Sequence, residues 1–106
     1  MKQNISGKEL VNTLTERVTL NIFRAGCERT NFFILKSLPS NLRDLQEKFQ
    51  LSKMPMNRRI NELEQVGLVK RDRYTGKVEP TELTKVFINM IEELKDEVVK
   101  EIPNLI

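Results

Sequence analysis

The chain has 106 residues, 39% of them apolar and 31% charged, with 18 Lys and Arg against 15 Asp and Glu; this is the make-up of one globular domain and excludes a disordered chain. One cysteine and no histidine exclude an intrachain disulfide, an imidazole- or thiolate-rich metal site and any histidine-based triad. No run approaches the ~18 apolar residues of a bilayer span, and the start MKQNISGKEL lacks a signal-peptide apolar region, so a cytoplasmic protein with no membrane contact is expected.

In "SGKELVNTLTERVTLNIFRAG" an N-cap at Ser6 with Glu9 three positions on opens a helix expected over 7–28. Its stripe Leu10, Leu14, Val18, Ile22 repeats every four residues, and Gly26 suggests a stop or a bend. Cys27 is expected to be a small packed hydrophobe. "RTNFFILKSLP" carries a dense apolar run bounded by Pro39. It reads as a short helix capped by Thr30 or Asn31, or as a buried strand, because periodicity does not separate the two over so few residues.

"SNLRDLQEKFQL" predicts a helix capped at Ser40 or Asn41 with Leu42, Leu45 and Phe49 inward. After a break at 50–53, "KMPMNRRINELEQVG" predicts a second helix over 53–66. Pro55 is tolerated in its first turn, Met56, Ile60 and Leu63 face inward, and Gly67 is a terminator at positive φ. Two short helices joined so closely are the helix-turn-helix pattern. "LVKRDRYTGKVEP" then changes period to a small β-hairpin, 69–79, turning at Tyr74–Gly76 and closed by Pro80. A helix over 84–101 follows, capped at Thr81 or Thr84 and ended by Pro103. Its stripe is Phe87, Met90 or Ile91, Leu94 and Val98. The expected fold is therefore α+β, mainly helical: residues 1–106 as a single winged helix-turn-helix domain with a flanking C-terminal helix.

Charge is distributed along this order. Residues 53–77 carry seven basic and three acidic groups, and residues 78–106 carry three basic and seven acidic. On a helical wheel of 53–66 the outward arc centres on Arg58, with Met54, Asn57, Asn61 and Glu62 around it. Arg59 flanks the buried stripe and Lys53 lies in the first turn. The glycines form no phosphate-cradling loop and the carboxylates are scattered over charged helices, so no catalytic, cofactor or metal residue is expected, and no enzyme.

The segment "LSKMPMNRRINELEQVGLVKR" resembles the recognition helix and first wing strand of winged-helix transcription regulators, notably the arsenic-repressor, multidrug-repressor and related archaeal groups. "VEPTELTKVF" is similar to their second wing strand and the start of their last helix. The resemblance spans about residues 32–90 and implies a homodimeric regulator of double-stranded DNA. In such folds the recognition helix enters the major groove. Arg58 would then suit guanine, Asn57 or Asn61 adenine, and Lys53 and Arg59 phosphate.

Arg71, Arg73 and Lys77 would meet backbone or minor groove from the wing, with Tyr74 either stacking or bonding there or packing on the sheet. Asp72 is unfavourable in that position. The 7–28 and 84–101 helices are the expected dimer elements, and any effector would be small, apolar and bound near them. The alternative is a winged helix used for protein contact, anchored by Met54 and Arg58. RNA binding finds no aromatic-rich sheet for stacking bases.

Overall fold

In the computed structural model, which describes residues 6–105, five helices and three short strands follow in the order α1 (Gly7–Gly26), α2 (Arg29–Lys36), β1 (Ser40–Asn41), α3 (Leu42–Phe49), α4 (Lys53–Gln65), β2 (Val69–Arg71), β3 (Lys77–Pro80) and α5 (Glu82–Leu105). The α+β, mainly helical winged helix-turn-helix is the fold observed. The sheet is antiparallel with order β1-β3-β2, Ser40 lying opposite Val78 and Lys70 opposite Glu79. Strand β1 has no counterpart in the sequence reading. It places a third strand beside the hairpin, which two strands alone hold only marginally.

Local chemistry explains most boundaries. The Ser6 hydroxyl accepts from Glu9 N at 3.1 Å and opens α1. Asn41 both pairs with β3 and caps α3, its Oδ1 accepting from Asp44 N at 2.9 Å. Gln50 ends α3 in the left-handed region (φ 53), and Gly67 follows α4 at φ 86, where a side chain would be strained. At α5, Thr81 and Thr84 form a reciprocal cap: Thr84 N donates to Thr81 Oγ1 at 3.4 Å, and Thr81 N to Thr84 Oγ1 at 3.1 Å. The two hydroxyls also donate to the carbonyls of Gly67 and Leu68, tying the start of α5 to the end of α4.

Several features differ from expectation. The apolar run of 32–35 is helical, inside α2, and its cap is Glu28 rather than Thr30 or Asn31. The Glu28 carboxylate accepts from both Thr30 N and Asn31 N. Cys27 is exposed at the C-cap of α1, not packed. Helix α5 starts at Glu82 and continues through Pro103, where the exposed last turn leaves the lost hydrogen bond to water. Gly26, read as a stop or a bend, is the buried last residue of α1, which ends there rather than at 28.

Ile34, Leu45, Met56, Ile60, Leu63 and Leu68 are fully buried and bring α2, α3, α4 and the wing base onto one core. Phe87 from α5 enters it edge-on to Phe23 and Phe32, at ring separations of 5.4 and 6.3 Å. Beyond this core the chain is open. Leu10, Leu14 and Val18 of α1 and Met90, Leu94 and Val98 of α5 are exposed, and the radius of gyration is 17.3 Å. A compact chain of this length would have about 13 Å. The outer parts of α1 and α5 therefore stand away from the body with uncovered apolar stripes.

Gly26 permits the closest of these approaches. A Cβ there would lie 2.6 Å from Phe87 Cζ and 3.2 Å from Leu68 Cδ1, and the Phe87 ring is boxed in by two other rings. Gly26→Ala is therefore expected to destabilise the fold by about 1–3 kcal/mol. A urea titration followed by circular dichroism checks it, and unchanged stability would show that the ring can give way.

Candidate nucleic-acid interface

Helix α4 is held at its base by Met56, Ile60 and Leu63, all fully buried, and this fixes which residues stand at its crest. Arg58 is exposed there, beside Met54 at 76% exposure and Asn61. No hydrogen bond or ion pair engages the Arg58 side chain among the described residues. The residues on either side of the crest, by contrast, are tied down.

On one flank the side chain of Asn31, fully buried at the start of α2, joins three helices. Its Nδ2 donates to Ala25 O at 3.0 Å at the end of α1 and to Glu62 Oε1 at 2.7 Å on α4. Its Oδ1 accepts from Arg59 Nη1 at 3.1 Å. Arg59 also pairs with the Glu28 carboxylate. Arg59 is thus turned toward α2 and away from the crest. Partial burial raises the Glu28 pKa, but the N–H groups of Thr30 and Asn31 and the Arg59 guanidinium outweigh it, leaving the carboxyl below its ordinary value of 4.5.

On the other flank Arg71 reaches back from β2 to α4. Its Nη2 donates to Asn57 Oδ1 at 2.7 Å and its Nη1 to Asn61 Oδ1 at 2.9 Å. Next to it Arg73 makes a loose contact of 3.4 Å with Glu64, and Lys77 pairs with Glu79 at 2.9 Å. Both pairs are well exposed, so they are weak and open to exchange with another anion.

The wing tip shows where Asp72 belongs. Its Oδ1 accepts from Tyr74 N at 2.8 Å and Thr75 N at 3.3 Å, while Gly76 N donates to Asp72 O at 2.8 Å. Asp72 thus closes the turn, with Gly76 at φ 78 completing it. Tyr74 is fully exposed at the tip and does not pack on the sheet.

Of the sequence-derived residues, Met54, Arg58 and Asn61 stand exposed on α4, Asn57 and Asn61 are joined to Arg71, and Lys53, Arg73 and Tyr74 line one groove. Lys77 lies on the outer face of the sheet with Glu79, and Arg59 is drawn to the α2 side. Arg43 was missed. It is exposed in the first turn of α3 and, with Lys53, Arg73 and Tyr74, lines a groove between that helix end and the wing tip. Its signal was present in the sequence as a lone cation two residues after the Asn41 cap.

The chain matches no protein-family model and no curated protein sequence. Among solved structures it is similar to a MarR protein from Peptoclostridium difficile, with a TM-score of 0.52 and 16% identity over 94% of this chain and 75% of that one. At that identity the likeness is one of fold, the winged helix-turn-helix, and it carries nothing specific to the arsenic-repressor or archaeal groups. Among the described residues no helix is long and apolar enough to cross a membrane.

The depressed Glu28 pKa has a stability consequence of definite sign. A carboxyl lowered in the folded state contributes stability that is complete above its unfolded pKa and is lost as pH falls through the folded value. Glu28→Gln keeps the shape but removes the charge. Its melting temperature is expected to lie below that of the native chain at neutral pH, with the gap closing as pH falls from about 5 to 3. A gap that stays constant across thermal melts at those pH values would show that the charge contributes nothing.

Proposed function

We propose that the chain is a sequence-specific double-stranded DNA-binding transcription regulator that acts as a homodimer, α4 lying in the major groove and the wing on adjacent backbone or minor groove. The observation that carries this reading is the unengaged Arg58 at the crest of a helix whose flanks are both fixed by hydrogen bonds. A guanidinium so presented has the bidentate geometry that guanine O6 and N7 accept. Arg43, Lys53, Arg73 and Tyr74 line a groove between the start of α3 and the wing tip, and in this reading they and Lys77 would meet phosphates of the same duplex. The fold shared with a MarR protein supports the same class.

The uncovered stripes of α1 and α5 support the dimer. A second copy would cover Leu10, Leu14 and Val18 with Met90, Leu94 and Val98, or like with like, and bring two α4 helices to successive groove turns. The acidic second half of α5, with Glu93, Asp96, Glu97 and Glu101 exposed, would then lie away from DNA. The shallow apolar hollow lined by Phe32, Phe33 and Ile91 beside Cys27 offers a place for a small apolar effector near these helices. A second reading, protein contact through the crest, draws on the exposed Met54. Binding insensitive to salt would favour it.

Arg58→Ala is expected to weaken binding to a selected DNA site by about 1–3 kcal/mol while leaving random DNA nearly unaffected. Arg73→Ala is expected to weaken both alike and to reduce the salt slope by about one. Fluorescence anisotropy on a site enriched from a random pool, repeated across salt concentrations, measures each. Equal losses from Arg58→Ala on both DNAs would remove its base-reading role. For the dimer, Leu94→Asp is expected to convert the sedimenting species from two copies to one, and an unchanged sedimentation coefficient would place the interface elsewhere.

A further inference from the structure

We propose that Arg71 is a specificity-determining positioning residue, which ties the side-chain oxygens of Asn57 and Asn61 to the wing and leaves the outward arc of α4 as a surface of hydrogen-bond donors suited to guanine. The inference rests on the DNA-binding reading above and deepens it by naming the base edge.

The chemistry follows from the donor inventory. A guanidinium has only N–H donors, so each asparagine must turn Oδ1, not Nδ2, toward Arg71; the amide orientation is forced rather than chosen. Both oxygens are engaged, at 2.7 Å for Asn57 and 2.9 Å for Asn61. Neither Nδ2 has a hydrogen-bond partner among the described residues, and no buried side-chain nitrogen or oxygen there lacks one, so the amide of half-buried Asn57 reaches solvent.

Asn57 and Asn61 are four residues apart, one above the other on a helix face. One planar fork spans both, which a single ammonium with its point charge does not reproduce. Arg71 is itself placed by the sheet, opposite Val78 in the β2–β3 register, so the wing sets the recognition helix's amides.

The polar groups that remain free toward the crest are Arg58, Lys53 and two amide N–H groups, all donors; Glu62, also exposed on this arc, turns Oε1 to Asn31. A guanine edge presents two acceptors in the major groove, adenine one acceptor and one donor, and cytosine a donor. An untethered asparagine pairs with adenine by offering oxygen and N–H together. With its oxygen held on the wing flank it offers N–H first, which shifts the match from adenine toward guanine.

The test is selection from a random DNA pool by the native chain, by Arg71→Ala and Arg71→Lys, and by Asn57→Ala/Asn61→Ala with and without Arg71→Ala. The native chain is expected to enrich guanine at the positions that become degenerate in the double asparagine variant. Arg71→Ala is expected to lose that preference or move it to adenine, with affinity for the native site falling about tenfold and random DNA changing less than about twofold. Arg71→Lys should behave the same way although its charge is kept, and it also serves if the alanine variant folds poorly.

In the double asparagine background Arg71→Ala should change the motif no further. An unchanged motif in Arg71→Ala, with native and random sites weakened together and the salt slope reduced by about one, would make Arg71 a phosphate contact and overturn the tether. Full restoration by lysine would overturn it as well. Enrichment of no sequence by the native chain would overturn the DNA-binding reading itself, and the tether with it.

Discussion

The side chain of one buried asparagine holds the frame on which the rest of the molecule depends. Asn31 uses both N–H groups and its oxygen: one N–H on the last turn of α1, the other on Glu62 of α4, and the oxygen on Arg59 of the same helix. A polar group fully out of water is costly unless satisfied, and here each partner is also part of a helix end or face. The bonds have direction, so they fix how α4 sits against α1 and α2 in a way that Ile34, Ile60 and Leu63 packing nearby would not. The apolar core supplies the bulk of the attraction, and the amide supplies the angle.

A second set of directed bonds does the same on the opposite side. Arg71 links α4 to the wing, and the Thr81 and Thr84 hydroxyls at the start of α5 donate to the orphan carbonyls of Gly67 and Leu68 just past α4. Helix α4 is thus braced from both flanks, and only its crest is left to solvent. Rigid support under an unengaged cation is the arrangement a binding surface needs, because less freedom is lost when a partner arrives.

Much of this was legible in the sequence wherever the signal was local. The four-residue spacing of Leu10, Leu14 and Val18, the inward set Met56, Ile60 and Leu63, the glycine at 67 and the change of period at Leu68 and Val69 each identify an element from a few neighbouring residues. The misread cap of α2 and the misplaced Arg59 involve partners far apart in the chain. Glu28 displaced Thr30 and Asn31 as cap because Arg59, thirty-one residues on, stabilises its carboxylate.

Arg59's inward turn is hidden by a like separation, 28 residues from Asn31, and Arg71's grip on two asparagines by separations of 14 and 10, still beyond any local pattern. β1 was too short at two residues to show a period, and it exists because β3 offers it an edge. The crest itself was read from the wheel, since it depends only on the helix and the three residues beneath it. Gly26 shows the limit of local reasoning: its identity is required by Phe87, sixty-one residues later.

The Asp72 turn separates shape from contact in the wing. Its carboxylate, the Gly76 backbone and the Thr75 hydroxyl close the loop, and the Gly76 carbonyl accepts from Leu42 N at 2.8 Å, so the geometry of the tip is set by the turn's own bonds and by α3. The side chains of Arg73 and Tyr74, which reach farthest into solvent, hold no part of it beyond one loose surface pair. Substitutions at those two positions therefore cost the fold little, and the molecule can change what its wing meets without renegotiating how the wing is made.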